Sequence, residues 1–333
     1  MPPLTIESTR GEGAESVHRV SAVVVDAKGA VVVHSGDIEF PTFLRSAAKP
    51  FQAIPAVADG AADQFAVTPE ELAVACASHN SERRHVALAR ALLARVGCTE
   101  QDLACGPHRS LAIDLGVRLP GEPPPGDLEA PGRLASNCSG KHTLMLALAR
   151  AQGWPVAGYN RPDHPVQQRI REEVARWSGL DQAAIREGSD GCGVVSFCLP
   201  LRAMALAFGR FGVSDDAAAA RVRAAMLAHP ELVAGRQRLC TTVMQVYPGQ
   251  VIAKVGADGV YGVALPQRGL GLALKVEDGD NRSAMVALIA ILTQLGFDTD
   301  PRDQLARFAS FPVLDTRGET IGTLRARGSL TFA

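Results

Sequence analysis

The chain is poor in aromatic residues, which make up 5% of its 333 positions. It also lacks a charge of one sign. Thirty-four Lys and Arg stand against 35 Asp and Glu. A near-neutral balance gives no electrostatic reason to bind nucleic acid or an anionic membrane. Long apolar runs are missing too. The stretch from Met285 to Leu295 is the best candidate, and a bilayer needs about 20 residues. The start, Met1-Pro-Pro-Leu-Thr-Ile-Glu, has neither a basic cluster nor an apolar segment, so no signal peptide is expected and the expected compartment is the cytoplasm. Seven cysteines are an odd number with no C-x-x-C pair. That excludes a complete disulfide framework and a zinc finger.

What is present is ordinary globular material: 47% hydrophobic and 21% charged residues, enough for a real core. Val20 to Val25, a turn at Asp26-Ala-Lys-Gly29 and Ala30 to Val33 predict a hairpin. Val251 to Lys254, Gly256-Ala-Asp-Gly259 and Val260 to Ala264 predict a second, with Leu270 to Val276 as a further strand. Thr68-Pro69-Glu70-Glu71 is a helix start with cap hydroxyl, proline and returning glutamate. Helices are expected over Glu82 to Val96, after Asn137-Cys-Ser-Gly-Lys-His142 as far as Ala151, from an Asp163 cap to Trp177, within Leu199 to His229, and over Ser283 to Leu295. Pro120 to Gly132 reads as loop. Hairpin-linked strands predict a mainly antiparallel sheet with packed helices, an α/β (α+β) fold. The expectation is a single domain over 1–333, with a helical subregion in its middle.

Chemistry enters at Ser46-Ala-Ala-Lys49. Pro50 keeps both residues at the mouth of a helix, because proline has no N–H for the turn before it. Residues three apart share a helix face, so Lys49 can serve as base to Ser46, which is a weak nucleophile until deprotonated. Alone, this spacing equally describes a capping serine and a solvated lysine. Order along the chain adds weight. S-x-x-K is followed by Ser78-His79-Asn80 and then by Lys254-Val255-Gly256 at a strand end, the sequence of elements found in serine β-lactamases and penicillin-binding proteins.

A second group is built on cysteine. Cys138 and Lys141 flank a loop-to-helix junction, and Cys192 sits in the turn Asp190-Gly-Cys-Gly193. Thiolates bind zinc well, and a lysine amine does so once deprotonated. Buried packing is the plainer reading of lone cysteines. Cys240 can join that pocket or the core. Cys76, Cys98, Cys105 and Cys198 are assigned to packing. Arg45 is a candidate carboxylate clamp or a surface charge. His79 and His142 are candidates for substrate contact or for structure.

Taken together, Arg45-Ser-Ala-Ala-Lys-Pro50 with Gln52, Cys76-Ala-Ser-His79, Asn137-Cys-Ser-Gly-Lys-His142, His164-Pro165, Asp190-Gly-Cys-Gly193 and Lys254-Val-Gly-Ala-Asp-Gly259 resemble the asparaginase II family of Rhizobium type. The resemblance runs from Glu15 to Arg282. It implies a fold like the serine β-lactamases, a homodimer, and hydrolysis of L-asparagine to aspartate and ammonia. By position it implies the pairs Ser46–Lys49 and Ser78–Lys254 as catalytic. Zinc ligands would be Cys138, Lys141 and Cys192, with water as the fourth. Arg45, His142, Asp190 and Cys240 would lie at or near the substrate pocket. Two stretches depart from the family: Asn80-Ser81-Glu82 stands where a glycine commonly precedes the glutamate, and Asp258 replaces a glutamate. A β-lactamase-like or esterase-like hydrolase on the same fold, and a non-catalytic zinc-binding homologue, are the alternatives.

Overall fold

The fold is described from a computed structural model over residues 3–111, 132–298, 300 and 303–333. The chain divides into two units. The first comprises Met1–Ala47, Leu199–Val213 and Val246–Ala333; the second comprises Ala48–Cys198 and Ser214–Gln245.

The first unit is built on a nine-stranded sheet. Its main path runs Ser310–Leu314, Thr320–Arg327, Thr5–Arg10, Gly13–Asp26, Leu270–Val276, Val260–Leu265, Ile252–Gly256. Val31–Ser35 pairs with Gly13–Asp26 and with Thr331–Phe332, and all these pairings are antiparallel. Both expected hairpins are present, and Leu270–Val276 is a strand as read from the sequence. Val20 to Val25 is buried at every residue, so both faces of the sheet are covered there. Helices Leu201–Val213 and Asn281–Gln294 cover them. The first lies very close to the sheet. A Cβ on Gly271 would stand 2.0 Å from the Ala205 carbonyl oxygen, and one on Gly262 would stand 2.0 Å from the Phe208 ring. Glycine at both points is what lets helix and strand touch.

The second unit is helical, with the hairpin Arg186–Ser189 and Val195–Pro200 beginning within it. Its centre is the helix Ser139–Ala151, buried from Ser139 through Ala149. A helix buried all round is a core element, not an amphipathic surface one. Gly140 lies against the helix Pro69–Ala75, where a Cβ would come 2.4 Å from the Val74 oxygen. The capping box at Thr68 forms in full, with Glu71 N–H to the Thr68 hydroxyl and Thr68 N–H to the Glu71 carboxylate. One cap differs from expectation. The helix Pro165–Ser178 is capped by His164, whose Nδ1 accepts from Val166 N–H, and not by Asp163. The imidazole reaches the open N–H from the position directly before Pro165. The expected loop at 120–132 lies outside the described residues except for Gly132.

The antiparallel sheet with packed helices is the expected fold class. Among the described residues, no helix is long and apolar enough to cross a membrane.

Candidate active site

Arg45 to Ala48 forms a 3-10 turn where the chain passes from the first unit to the second, followed in sequence by the helix Lys49–Ala58. The sequence suggests a helix from near Ser46; the regular helix starts at Lys49, with Ser46 in the 3-10 turn before it. Ser46 is half-buried. Arg45 takes a positive φ of 49°, strained for a residue with a Cβ, and its guanidinium is hydrogen-bonded to Asp258. Lys254 is fully buried on the strand Ile252–Gly256, with Nζ donating to the Val255 oxygen at 3.0 Å. The end of that strand comes close to the 3-10 turn, since a Cβ on Gly256 would stand 2.6 Å from the Leu44 oxygen. Gly256 therefore has a packing reason as well as a motif.

In the second unit, Lys49 is wholly buried. Its amine reaches the Ala77 oxygen at 2.5 Å, the Ser78 hydroxyl at 3.2 Å and the Asn137 oxygen at 3.2 Å. Three acceptors match the three N–H bonds of an ammonium. A neutral amine would keep two of them and turn its lone pair to the Ser78 hydroxyl. The buried amine is thus satisfied and placed for proton exchange with Ser78. Ser78 N–H is taken by the Val233 oxygen at 3.0 Å, so it is not open to an incoming oxyanion.

The stretch after Ser78 is held from several sides. His79 Nδ1 accepts from Ser81 N–H at 3.1 Å, which leaves the proton on Nε2, 3.0 Å from the Ser139 hydroxyl. Burial, with the neighbouring His85 and Lys49, holds His79 far below the usual imidazole range, so it is neutral. Asn80, one of the family departures, donates to the Arg236 oxygen at 3.1 Å and accepts from Arg238 at 2.9 Å. A Cβ on Gly235 would stand 2.4 Å from the Asn80 amide nitrogen. The larger Asn80 and the bare Gly235 fit each other.

The cysteine group assembles beside these residues, within the same unit. Lys141 Nζ lies 3.1 Å from Cys192 Sγ and 3.5 Å from Asp190 Oδ2, and Cys192 Sγ is 3.3 Å from the same carboxylate. Cys138 donates its thiol proton to Cys192. That hydrogen bond, then the Lys141 charge, draws Cys192 down to about 6 against the cost of burial. The same bond and burial push Cys138 up to about 12. Burial alone would lower Lys141, but the charges of Cys192, Cys138 and Asp190 outweigh it and raise the amine. The resting set is therefore one thiolate, one thiol and one ammonium. Two sulfurs and an amine within contact are a donor set that zinc accepts once two protons leave. Among the described residues, no cluster of three or more His, Cys, Asp or Glu side chains forms a metal cage by itself.

His142, one residue on, is buried and neutral, held down to about 3 by burial and by the Lys141 charge. Its Nδ1 is 2.5 Å from the Tyr159 oxygen. Cys240 is buried at the start of the helix Leu239–Val246. Cys105, assigned from sequence to packing, is close enough for Cys138 and Lys141 to act on its thiol, which burial pushes up to about 11. Neither Cys105 nor Tyr159 carries a motif. For Tyr159 the one sequence signal is scarcity, with three tyrosines in the chain.

No curated protein matches the chain. Among solved structures, a proposed β-lactamase from Bacteroides dorei DSM 17855 is 13% identical, over 80% of this chain and 89% of that one, with a TM-score of 0.40; a likeness that loose bears no weight here. The L-asparaginase II family model matches residues 6–326, both units and nearly the whole length. The chain belongs to the L-asparaginase II family.

Proposed function

We propose that the protein hydrolyses the side-chain amide of L-asparagine to aspartate and ammonia, with Lys49 as the base for a serine nucleophile. Family membership supports an asparaginase-type amidohydrolase. The observation that carries the finer reading is the fully buried Lys49 amine, 3.2 Å from the Ser78 hydroxyl.

On this reading the serine Oγ bonds to the amide carbon as Lys49 takes the hydroxyl proton. Lys49 then returns a proton to the leaving nitrogen as the C–N bond breaks. Water cleaves the resulting ester, freeing aspartate and restoring the serine. Ser78 has the base within hydrogen-bond reach. Ser46 stands three residues before that base and is the attacking group expected from the motif order, with Lys254 as the second amine. His142 and Asp190 are proposed to contact substrate; Arg45 and Cys240 are carried over from the resemblance. Cys138, Lys141 and Cys192 would hold a zinc ion. Bound there, it would supply fixed positive charge beside the Lys49–Ser78 pair. The working form is taken, on the family resemblance, as a cytoplasmic homodimer.

The test is ammonia release from asparagine and glutamine beside nitrocefin hydrolysis, with Ser46→Ala and Ser78→Ala. A pre-steady-state burst kept by one variant and lost by the other assigns the nucleophile. Nitrocefin turnover without ammonia release replaces the substrate reading with a β-lactamase-like one. Near wild-type turnover by both variants sinks the covalent scheme.

A further inference from the structure

Tyr159 is a fully buried tyrosine in the stretch before the helix Pro165–Ser178. Its hydroxyl oxygen accepts Ala104 N–H at 2.8 Å and lies 2.5 Å from His142 Nδ1. The ring stands edge-on to the imidazole, with centroids 5.6 Å apart and planes at 82°. A phenol has one proton to give. Ala104 supplies a donor, so the phenol proton goes to the other neighbour, and His142 Nδ1 is the acceptor. The imidazole proton must then sit on Nε2. That atom is buried and has no hydrogen-bond partner among the described residues. A buried N–H without a partner is costly and uncommon. It invites a ligand acceptor, in a place where Lys49, Cys138, Lys141 and Asp190 all act on the ring.

We infer that Tyr159 is a positioning residue: its hydroxyl fixes the His142 tautomer and leaves Nε2–H as a pre-set donor for a substrate oxygen. The substrate half of this rests on the asparaginase reading above. The tautomer half does not. The same segment also steadies the thiol turn, because the Asn160 amide donates to the Gly193 oxygen at 2.8 Å.

The test uses the full-length, zinc-supplemented protein. Long-range proton–nitrogen correlation spectra of nitrogen-15-labelled histidine, assigned with His142→Ala, report the tautomer. Wild type should show His142 protonated on Nε2. Protonation on Nδ1 overturns the inference, whatever Tyr159→Phe does. Tyr159→Phe should give a mixed or reversed tautomer and raise KM for asparagine about tenfold, the size of one hydrogen bond, with a smaller change in kcat. In a His142→Ala background, Tyr159→Phe should leave KM unchanged, because its effect runs through the lost imidazole. An equal KM rise in both backgrounds makes Tyr159 merely structural and overturns the inference. Failure to release ammonia with the Nε2 tautomer in place would count against the asparaginase reading and leave the Tyr159–His142 assignment standing.

Discussion

Lys49→Met removes the buried amine while keeping most of its volume, and its consequences separate stability from catalysis. Three acceptors lose the amine: Ala77 oxygen, Ser78 hydroxyl and Asn137 oxygen. Asn137 oxygen keeps the His79 N–H at 3.4 Å, and the Ser78 hydroxyl can turn. Only the Ala77 carbonyl loses its side-chain donor with nothing among the described residues to replace it. One buried carbonyl left unpaired costs about 1–3 kcal/mol, partly offset because a polar amine no longer has to be buried. The variant should therefore fold, with its urea midpoint lowered by an amount equivalent to about 1–2 kcal/mol. Activity should fall much further. Loss of a general base costs about 10²–10⁴-fold in kcat, or roughly 3–5 kcal/mol at 1.4 kcal/mol per decade. Lys49→Arg is the control, since it retains charge and donors but cannot act as a base. The readouts are ammonia release and urea unfolding on the same samples. A folded Lys49→Met protein within about tenfold of wild-type kcat, less than any general base supplies, would refute Lys49 as base.

Metal-free protein should show the ultraviolet absorbance of a thiolate with a midpoint near 6, not near 9, and Cys192→Ser should abolish it. The sign follows from a folded-state value below the unfolded one. The thiolate's contribution to stability is complete above the unfolded value of 9 and is lost as pH falls through about 6. Zinc binding near neutral pH should release two protons per ion, one from Cys138 and one from Lys141, as read by calorimetry in buffers of different ionisation enthalpy. Uptake without proton release would mean that other ligands hold the metal. Gly140→Ala should cost about 1–3 kcal/mol in urea unfolding, because the helix Ser139–Ala151 must retreat from the Val74 oxygen.

The chain showed its fold most clearly where local chemistry and burial agreed. Thr68, Pro69 and Glu71 are a start signal in any context, and the capping box forms as read. Val20 to Val25 is rich in valine and buried throughout, so pattern and packing coincide. The strands Thr5–Arg10, Ser310–Leu314 and Thr320–Arg327 went unread because their residues are half-exposed and polar at alternate places. They are strands by long-range pairing, Thr5 with Arg327 for instance, which no short window contains. The cap at His164 was misplaced by one residue because aspartate outranks histidine as a cap by propensity, while the actual rotamer put the imidazole, not Asp163, on Val166 N–H.

For the site, spacing indicated which residues to watch but not whom they touch. Ser46-Ala-Ala-Lys49 suggested that Lys49 serves its neighbour three residues back. The side chain also reaches Ser78, 29 residues on, a partner that no spacing rule names. Cys138, Lys141 and Cys192 do meet, from stretches 51 residues apart, yet the low Cys192 value rests on a hydrogen bond from Cys138 and on the Lys141 charge, which spacing does not reveal. Tyr159 lies further still from legibility. Nothing in its neighbourhood marks a motif, and its part follows only from counting protons around Ala104 and His142. Where function depends on which atom holds a hydrogen, the sequence names the atoms and packing assigns the hydrogen. The tautomer of His142 is therefore a sharper probe of this site than loss of activity in any single variant.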